Sequence, residues 1–512
     1  MKKILLPILF VCAVLNGFCE TTNNYLITDF GAKPDGITYN TAFIQQAIDK
    51  AAANGGGTVI FPAGKFLTGV ITIKTGVTIK LELNAVLLGS AKRIDYGPSD
   101  ASALIVANNA QNIGIIGKGT IDGQAHDLIK DIYVMLNAGT LQDKEWKTKN
   151  PWGQIRPEER NRPKLIEFKN CKEIQIKDIT IKDGLCWIQD YRECSDMIID
   201  GITVNSVTFL NNDGIDLTDC KNVKVTNCNI NAADDGICLK SSNRNSSCEN
   251  IYVADCKIRS SASALKFGTA SRGGFKNIAV KNLMIYDTYR SAIALEVVDG
   301  GIMENVDIRN VKATTTGNAI FLKIGHRNKD SVISSMKNVH IADVSVQVPK
   351  AKPDKGYEME GPEENFKHNV FPSSIVGLPG HLINNVVLEN IDITYEGGGY
   401  KDSAYFDYKA INKLPENSSE YPEFSMFGEM PAWGFYVRHA SGITMKNITL
   451  KTQKPDYRVA VIFDDVNGMN VDKAKIVAPK SKPVIVLNNV KQFTEKDLQL
   501  PIDKKDAIEV LQ

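Results

Sequence analysis

At 512 residues, 43% of them hydrophobic, the chain is long enough for several average domains or for one elongated repeat domain. Its 60 Lys and Arg balance 59 Asp and Glu, a net charge of +1 that leaves no basic field to attract nucleic acid or a membrane surface. Partners must therefore be read from local sites.

The first residues, "MKKILLPILFVCAVLNGFCE", carry Lys2 and Lys3, an apolar run from Ile4 to Leu15, then the small residues Gly17 and Cys19. That order predicts a signal peptide over 1–19 and export to the periplasm or outside the cell. Acylation of Cys19 as a lipoprotein is the lesser alternative, since bulky Phe18 precedes it. The run falls short of the roughly 20 apolar residues that span a bilayer, and no later segment approaches that length.

Residues 20–100 read as an N-terminal cap and first coils. A helix is expected from about Thr41 to Ala53, stopped by Gly55–Gly57 and followed by a strand at Val59–Phe61. From there the chain reads as strand after strand.

Over 101–512 the pattern apolar-x-apolar-x-[Asn/Asp]-x-x-apolar recurs, as in "IQIKDITI", "VKVTNCNI", "IAVKNLMI" and "ITMKNITL". The polar anchors are Asp178, Asp200, Asn227, Asp255, Asn282, Asn310, Asp343, Asn390 and Asn447, spaced by 22, 27, 28, 27, 28, 33, 47 and 57 residues. Spacings in the twenties with period-2 strands and no intervening amphipathic helix predict an all-β solenoid, a single-stranded right-handed parallel β-helix. The anchors would sit at turns and bond the backbone. Loop insertions are expected at about 347–380 and 394–437, where function concentrates.

Cys171, Cys194, Cys220 and Cys248 each precede a repeat strand and would stack at the inter-coil spacing of about 4.8 Å. Disulfides and a row of small buried thiols both fit, the thiols better. No cysteine spacing resembles a zinc site, and no cofactor or metal is expected.

Two segments stand apart: "NNDGIDLTDC" at 211–220 and "NAADDGICLK" at 231–240. Aligning "DGIDL" with "DGICL" places Asp213 and Asp235 at one point of two consecutive coils, with Asp234 adjacent. The plain reading is that these aspartates cap turns before Gly214 and Gly236. Two in register plus a third argue for more, because like charges stacked about 5 Å apart cannot all ionise comfortably and at least one pKa should rise. An acid and a base then sit side by side, as glycoside hydrolysis requires.

At these residues the sequence resembles glycoside hydrolase family 28, the polygalacturonases and rhamnogalacturonases. The family's Asn-x-Asp-Gly and Asp-Asp motifs are matched by Asn211–Gly214 and Asp234–Asp235, and the likeness extends from "DFGAKPDG" through "RPKLIEFKNC" and "WIQD" into the repeats. The resemblance implies an inverting hydrolase of pectic polysaccharide or oligosaccharide in which Asp234 is the general acid, Asp213 and Asp235 activate water, and Asn211 positions substrate or water. Inverting sites generally separate acid and base by roughly 6.5–9.5 Å, and cross-coil placement is expected to supply that.

The sequence also departs from the family. Where polygalacturonases carry Gly-His-Gly, this chain has "SSASALKFGTAS", with Ser263 nearest the His position. Their carboxylate-binding Arg-Ile-Lys corresponds to "AIALEVVDGG", with Ala294 and Glu296 at the cationic positions. Either the bound sugar is not a galacturonate, or its carboxylate is held by other cations, with Lys240 and Lys266 as candidates facing the cleft and Glu296 pairing with a lysine or accepting sugar hydroxyls.

Later segments add Lys323, His326 and Arg327, and, after an aromatic-rich stretch at 413–442, Tyr436, Arg438 and His439. Aromatic rings suit sugar faces and Arg suits carboxylates. Overhang of the aspartates by both regions would close the cleft and favour exo cleavage by a monomer. Two alternatives remain. A calcium-dependent polysaccharide lyase would place Ca²⁺ on the aspartates, and a non-catalytic carbohydrate-binding β-helix would not need them.

Overall fold

The computed structural model describes residues 23–150, 153–357, 359, 363–401, 404–479 and 483–511; the leader at 1–19 lies outside them. Three consecutive coils show the plan. Lys172–Lys177, Ser195–Asp200 and Lys221–Thr226 stack on one face. Thr180–Lys182, Thr203–Ser206 and Asn229–Ala232 form a second, and Gln189–Arg192, Ile215–Thr218 and Ile237–Ser241 a third. All pairings among them are parallel, so the expected right-handed parallel β-helix is found.

Period-2 patterning decides which side chains enter the core. Ile176, Ile199, Val225 and Val253 fall in one buried column, while Lys224 between two buried valines points to solvent. Each such branched side chain contributes about 1.5–3 kcal/mol when its surface leaves water. From Cys248 onward the strands run on round the corners. Gly274–Val297, for example, bends where Asn277, Asn282 and Asp287 take left-handed φ of 55°, 57° and 43°.

The corner residues correct one expectation. Their side chains bond one another from coil to coil rather than the backbone. Among the anchors Asn227 donates to Asp200, Asn282 to Asp255, Asn310 to Asn282, Asn390 to Asp343 and Asn447 to Asn390, all at 2.8 Å. At a second corner Asn250 donates to Asn222, Asn277 to Asn250, Asn305 to Asn277 and Asn338 to Asn305, at 3.0–3.3 Å. Asn and Asp tolerate the left-handed region, which is why they hold these corners. Asp200 is the exception among the anchors: the turn there is made by Gly201, at φ 67°.

A helix at Thr41–Ala53 buries Ile44, Ala47, Ile48 and Ala51 against the first coils, as its spacing predicted. A second helix, Ala125–Asn137, was not expected. Its buried Ala125, Leu128, Ile129, Ile132 and Leu136 keep helical spacing, but it loops out between two strands of one coil and leaves the repeat intact. Eight described cysteines are free and buried, in keeping with the thiol reading. Cys194, Cys220 and Cys248 point Sγ at the carbonyls of Phe168, Tyr191 and Leu217 on the preceding coil, at 3.5, 3.2 and 3.2 Å.

On the later coils the outer side of the third face is not left to solvent. Phe321, Val376, Tyr436, Ile462 and Val486 point outward there and join Ile411, Leu414, Phe424, Phe427 and Met430 in a second apolar core. The latter five belong to the segment between Gly397 and Ala432, which is held down as a cover beside the site described next.

Candidate active site

The third face opens with a tight inward turn on every coil. Backbone bonds of 2.9 Å from Ile188 to Asp213, Gly214 to Asp235 and Gly236 to Ser263 put Trp187, Asp213, Asp235 and Ser263 in one column. One residue earlier runs a second column of Asn212, Asp234, Ala262 and Arg290, fixed by the 2.8 Å bond from Arg290 N to Ala262 O. A Cβ on Gly214 would sit 2.6 Å from the Gly236 carbonyl oxygen, and one on Gly236 2.6 Å from that of Ala264. The repeated Asp-Gly pairs are therefore set by the close approach of successive coils, and the aspartates are free to point outward.

On the strands beyond the turn, outward positions continue the pattern. Asp216, Cys238 and Lys266 align, as do Thr218 and Lys240. Five carboxyl groups (Asp213, Asp216, Asp234, Asp235 and Glu296) thus share one wall with the cations Lys240, Lys266 and Arg290.

The nearest oxygens of Asp213, Asp234 and Asp235 all lie within 4.8 Å of one another. This is closer than the gap expected for most inverting sites. Coils one hydrogen-bond spacing apart cannot hold in-register carboxyls wider. Lys240 Nζ donates to Asp213 Oδ2 at 2.9 Å and pairs with Asp216. Lys266 Nζ lies 3.1 Å from Asp235 Oδ2, and the Ser263 amide donates to Asp235 Oδ1 at 3.0 Å. Asn211 Nδ2 reaches Asp234 Oδ2 at 3.4 Å. The Asn211 carbonyl oxygen is anchored by buried Arg162, which also bonds the Leu185 and Leu210 backbone.

These surroundings split the carboxyl groups. Burial, then the neighbouring Asp213 and Asp235 charges, pushes Asp234 up to about 7. Burial also holds Asp213 well above the usual range, reinforced by Asp216 and opposed by Lys240. Burial works the same way on Asp235, but Lys266, Lys240, Arg290 and the Ser263 amide outweigh it and hold this carboxyl below its ordinary value. The surroundings therefore push adjacent carboxyls in opposite directions, Asp234 and Asp213 toward the acid form and Asp235 toward the carboxylate.

Above the wall is a cavity of about 320 Å³, the size of a small ligand pocket. Asn211, Asp213, Asp234, Asp235, Lys240 and Lys266 all line it. Arg156 and Glu159 reach in from one side. From the other comes the covering segment: Tyr421 accepts from Lys266 Nζ at 3.0 Å, and Glu423 pairs with Arg290 at 3.2 Å.

The remaining candidates lie elsewhere. Glu296 is buried behind Lys266, 4.0 Å from its Nζ, and burial pushes it up to about 8. Lys323, Arg438 and His439 gather under the covering segment around Glu416. Its carboxylate pairs with Arg438 and His439, at 2.6 and 3.1 Å, and its carbonyl accepts from Lys323. Tyr436 is buried in the second core with its hydroxyl on Asp464. His326 bonds the Asp330 carbonyl, and Arg327 pairs with Asp299. None of these seven residues lines the cavity. Lys323, Tyr436 and Arg438 share the outward side with Lys240 and Lys266, as strand alternation implies, but the segment before Ala432 folds over them.

Trp187, Arg156, Arg290 and Tyr421 line the cavity without having been singled out from the sequence. Counting back from Ile293, which stands in register with Ile237 and Leu265, would have found Arg290 on the Asp234 column. Nothing local marks Tyr421, which arrives from 155 residues beyond Lys266. A metal fits this set poorly: the ammonium groups of Lys240 and Lys266 already occupy oxygens of Asp213 and Asp235, whereas Ca²⁺ needs six to eight oxygens.

A family model described as glycosyl hydrolases family 28 matches residues 55–352. A probable polygalacturonase of Vitis vinifera is 26% identical over 319 residues, 58% of this chain, which spans only 56% of that relative. An exo-poly-α-D-galacturonosidase of Dickeya chrysanthemi is 23% identical over 433 residues, 71% of each chain. The solved structure of a family 28 exopolygalacturonase from Yersinia enterocolitica superposes with a TM-score of 0.54 at 19% identity, covering 94% of this chain and 79% of that one. At that identity it speaks for the fold alone.

Proposed function

The chain belongs to glycosyl hydrolases family 28 and is a glycoside hydrolase; from that premise we propose that it trims galacturonan- or rhamnogalacturonan-type pectic chains from an end, with inversion. The observation that carries the mechanism is the grouping of three aspartates within 4.8 Å on one cavity wall, where burial and like charges push Asp234 up to about 7 while Lys266 and the Ser263 amide hold Asp235 toward the carboxylate. Asp234 gives its proton to the leaving glycosidic oxygen. Asp235 takes a proton from the water whose oxygen bonds the anomeric carbon, while Asp213, pushed the other way by burial, accepts from Lys240 beside it. Asn211 bonds the acid and fixes its direction.

The proposal assigns the sugar carboxylate to the guanidinium groups of Arg156 and Arg290 on the cavity wall, since a guanidinium carries five donors and Arg290 can serve a substrate carboxylate beside Glu423. The covering segment, which brings Tyr421 onto the cavity wall and Glu423 onto Arg290, supports action at chain ends. The leader at 1–19 supports export, and among the described residues no helix is long and apolar enough to cross a membrane.

The short spacing of the aspartates favours one competing reading, a double displacement with retention through a glycosyl-aspartate. Against it, both Asp235 oxygens already have partners, so neither can bond an anomeric carbon without giving one up. Digests of homogalacturonan, rhamnogalacturonan and their oligosaccharides test the substrate and the exo assignment. Single units or short, uniform products released with little early loss of viscosity support it. A ladder of sizes, or no release from either polymer, overturns it.

A further inference from the structure

Both oxygens of Asp235 are gripped by the same stretch, 263–266, on the next coil. The Ser263 amide takes Oδ1 and the Lys266 ammonium takes Oδ2. This is where the chain departs from its family by lacking the histidine. The side chain at 263 has no imidazole to offer, and a cation stands three residues on, in register with Cys238 and Ala294. Lys266 is buried and its ammonium is triangulated by Asp235, the Tyr421 hydroxyl at 3.0 Å and Glu296 at 4.0 Å.

We propose that Lys266, set in place by Tyr421 of the covering segment, is the positioning residue that holds Asp235 as the water-activating base. The inference deepens the hydrolase reading and rests on it for the meaning of "base", though its test does not need turnover.

A lysine without Tyr421 has room to swing toward Glu296, whose Oε2 makes no hydrogen bond among the described residues. Asp235 would then keep one backbone bond and lose its nearest cation. The other charges facing it fall on several elements. Asp213, Asp216 and Lys240 come from neighbouring coils, Asp234 precedes it, Arg290 stands two coils on, and Glu423 comes from the cover. Two of these, Asp213 and Asp234, are carboxyls within 4.8 Å of Asp235, so withdrawing Lys266 tips the balance toward protonation. Because Tyr421 belongs to the cover, the base is completed only when the cover is seated.

The test is the carboxyl ¹³C titration of Asp235 in uniformly Asp-labelled protein, its signal identified by loss in Asp235→Asn. The expected result is a midpoint at least one pH unit higher in Lys266→Met than in wild type, a tenfold rise in proton affinity. A smaller rise in the same direction is expected in Tyr421→Phe. On turnover, the acidic limb of kcat/KM moves up with the midpoint while KM stays put. An unmoved midpoint in Lys266→Met overturns the inference, and an unmoved one in Tyr421→Phe overturns the part given to the cover. Should Lys266→Met not fold, Tyr421→Phe, altered at a partly exposed hydroxyl, decides alone. Absence of turnover on every pectic glycan would overturn the hydrolase reading while the titration still judges this one.

Discussion

Replacing Asp234 with Asn keeps the shape of the side chain and the Oδ1 that accepts from the Asp235 amide at 2.9 Å, and gives up only the long 3.4 Å bond in which Oδ2 accepts from Asn211. It removes one exchangeable proton and one charge that repels Asp213 and Asp235. Folding should therefore be unaffected or slightly firmer. The chemical loss follows from the acid's role. Ordinary Asp, near 3.9, would be protonated in only a few per cent of molecules at pH 5.5, whereas a carboxyl near 7 is about 97% protonated there. The site invests burial and two like charges in keeping that proton, and a general acid contributes about 10²–10⁴-fold. Asp234→Asn should lower kcat by that factor on an oligogalacturonide, whose leaving group is an alkoxide. On 4-nitrophenyl galacturonoside, whose leaving group needs no proton, the loss should be less than about tenfold. The basic limb of the wild-type profile, near pH 7, should vanish in the variant. Equal losses on both substrates would show that Asp234 does not donate the proton and would refute the reasoning.

Other consequences reach different parts of the fold. Asn277→Ala removes two rungs of the corner ladder and puts Ala at φ 55°. The expected cost is about 1–3 kcal/mol, read as a lower denaturation midpoint, with Asn277→Gly recovering the backbone share. Lys323 is held down to about 7 by burial. A depressed lysine costs stability in full below its folded value, and the cost fades as pH rises from about 7 toward the unfolded 10.4. Lys323→Met should accordingly raise the melting temperature more at pH 6 than at pH 9, and equal gains would contradict the assignment. Glu423→Ala together with Tyr421→Ala should loosen the cover and lengthen the released products, measured by their size distribution. An unchanged distribution would remove the cover from the exo argument.

The fold was legible because stacked coils repeat a local rule: alternate apolar residues inside and a left-handed Asn or Asp at each corner. The aspartates were legible for the same reason, since in-register Asp-Gly pairs differ by one coil. What escaped was whatever depends on another segment's path. Lys323, Tyr436 and Arg438 do share the outward side of the Lys240 strand, as alternation implied, yet Leu414, Phe424 and Phe427 arrive over them and turn that surface into a second core. Tyr421 and Arg156 enter the cavity from excursions whose course no periodicity encodes. The helix at Ala125–Asn137 had a helical apolar stripe, but strands before and after it masked the change of period. The division of labour between Asp213 and Asp235 needed the positions of Lys240 and Lys266, which only register supplies.

The most direct test of the central claim is the anomeric form of the first product, followed by proton NMR within seconds of adding wild-type enzyme to an oligogalacturonide or rhamnogalacturonan oligosaccharide. The account predicts the inverted anomer, appearing first and mutarotating afterwards. A retained anomer would turn one aspartate into a nucleophile, and an unsaturated product would place the chemistry outside hydrolysis altogether.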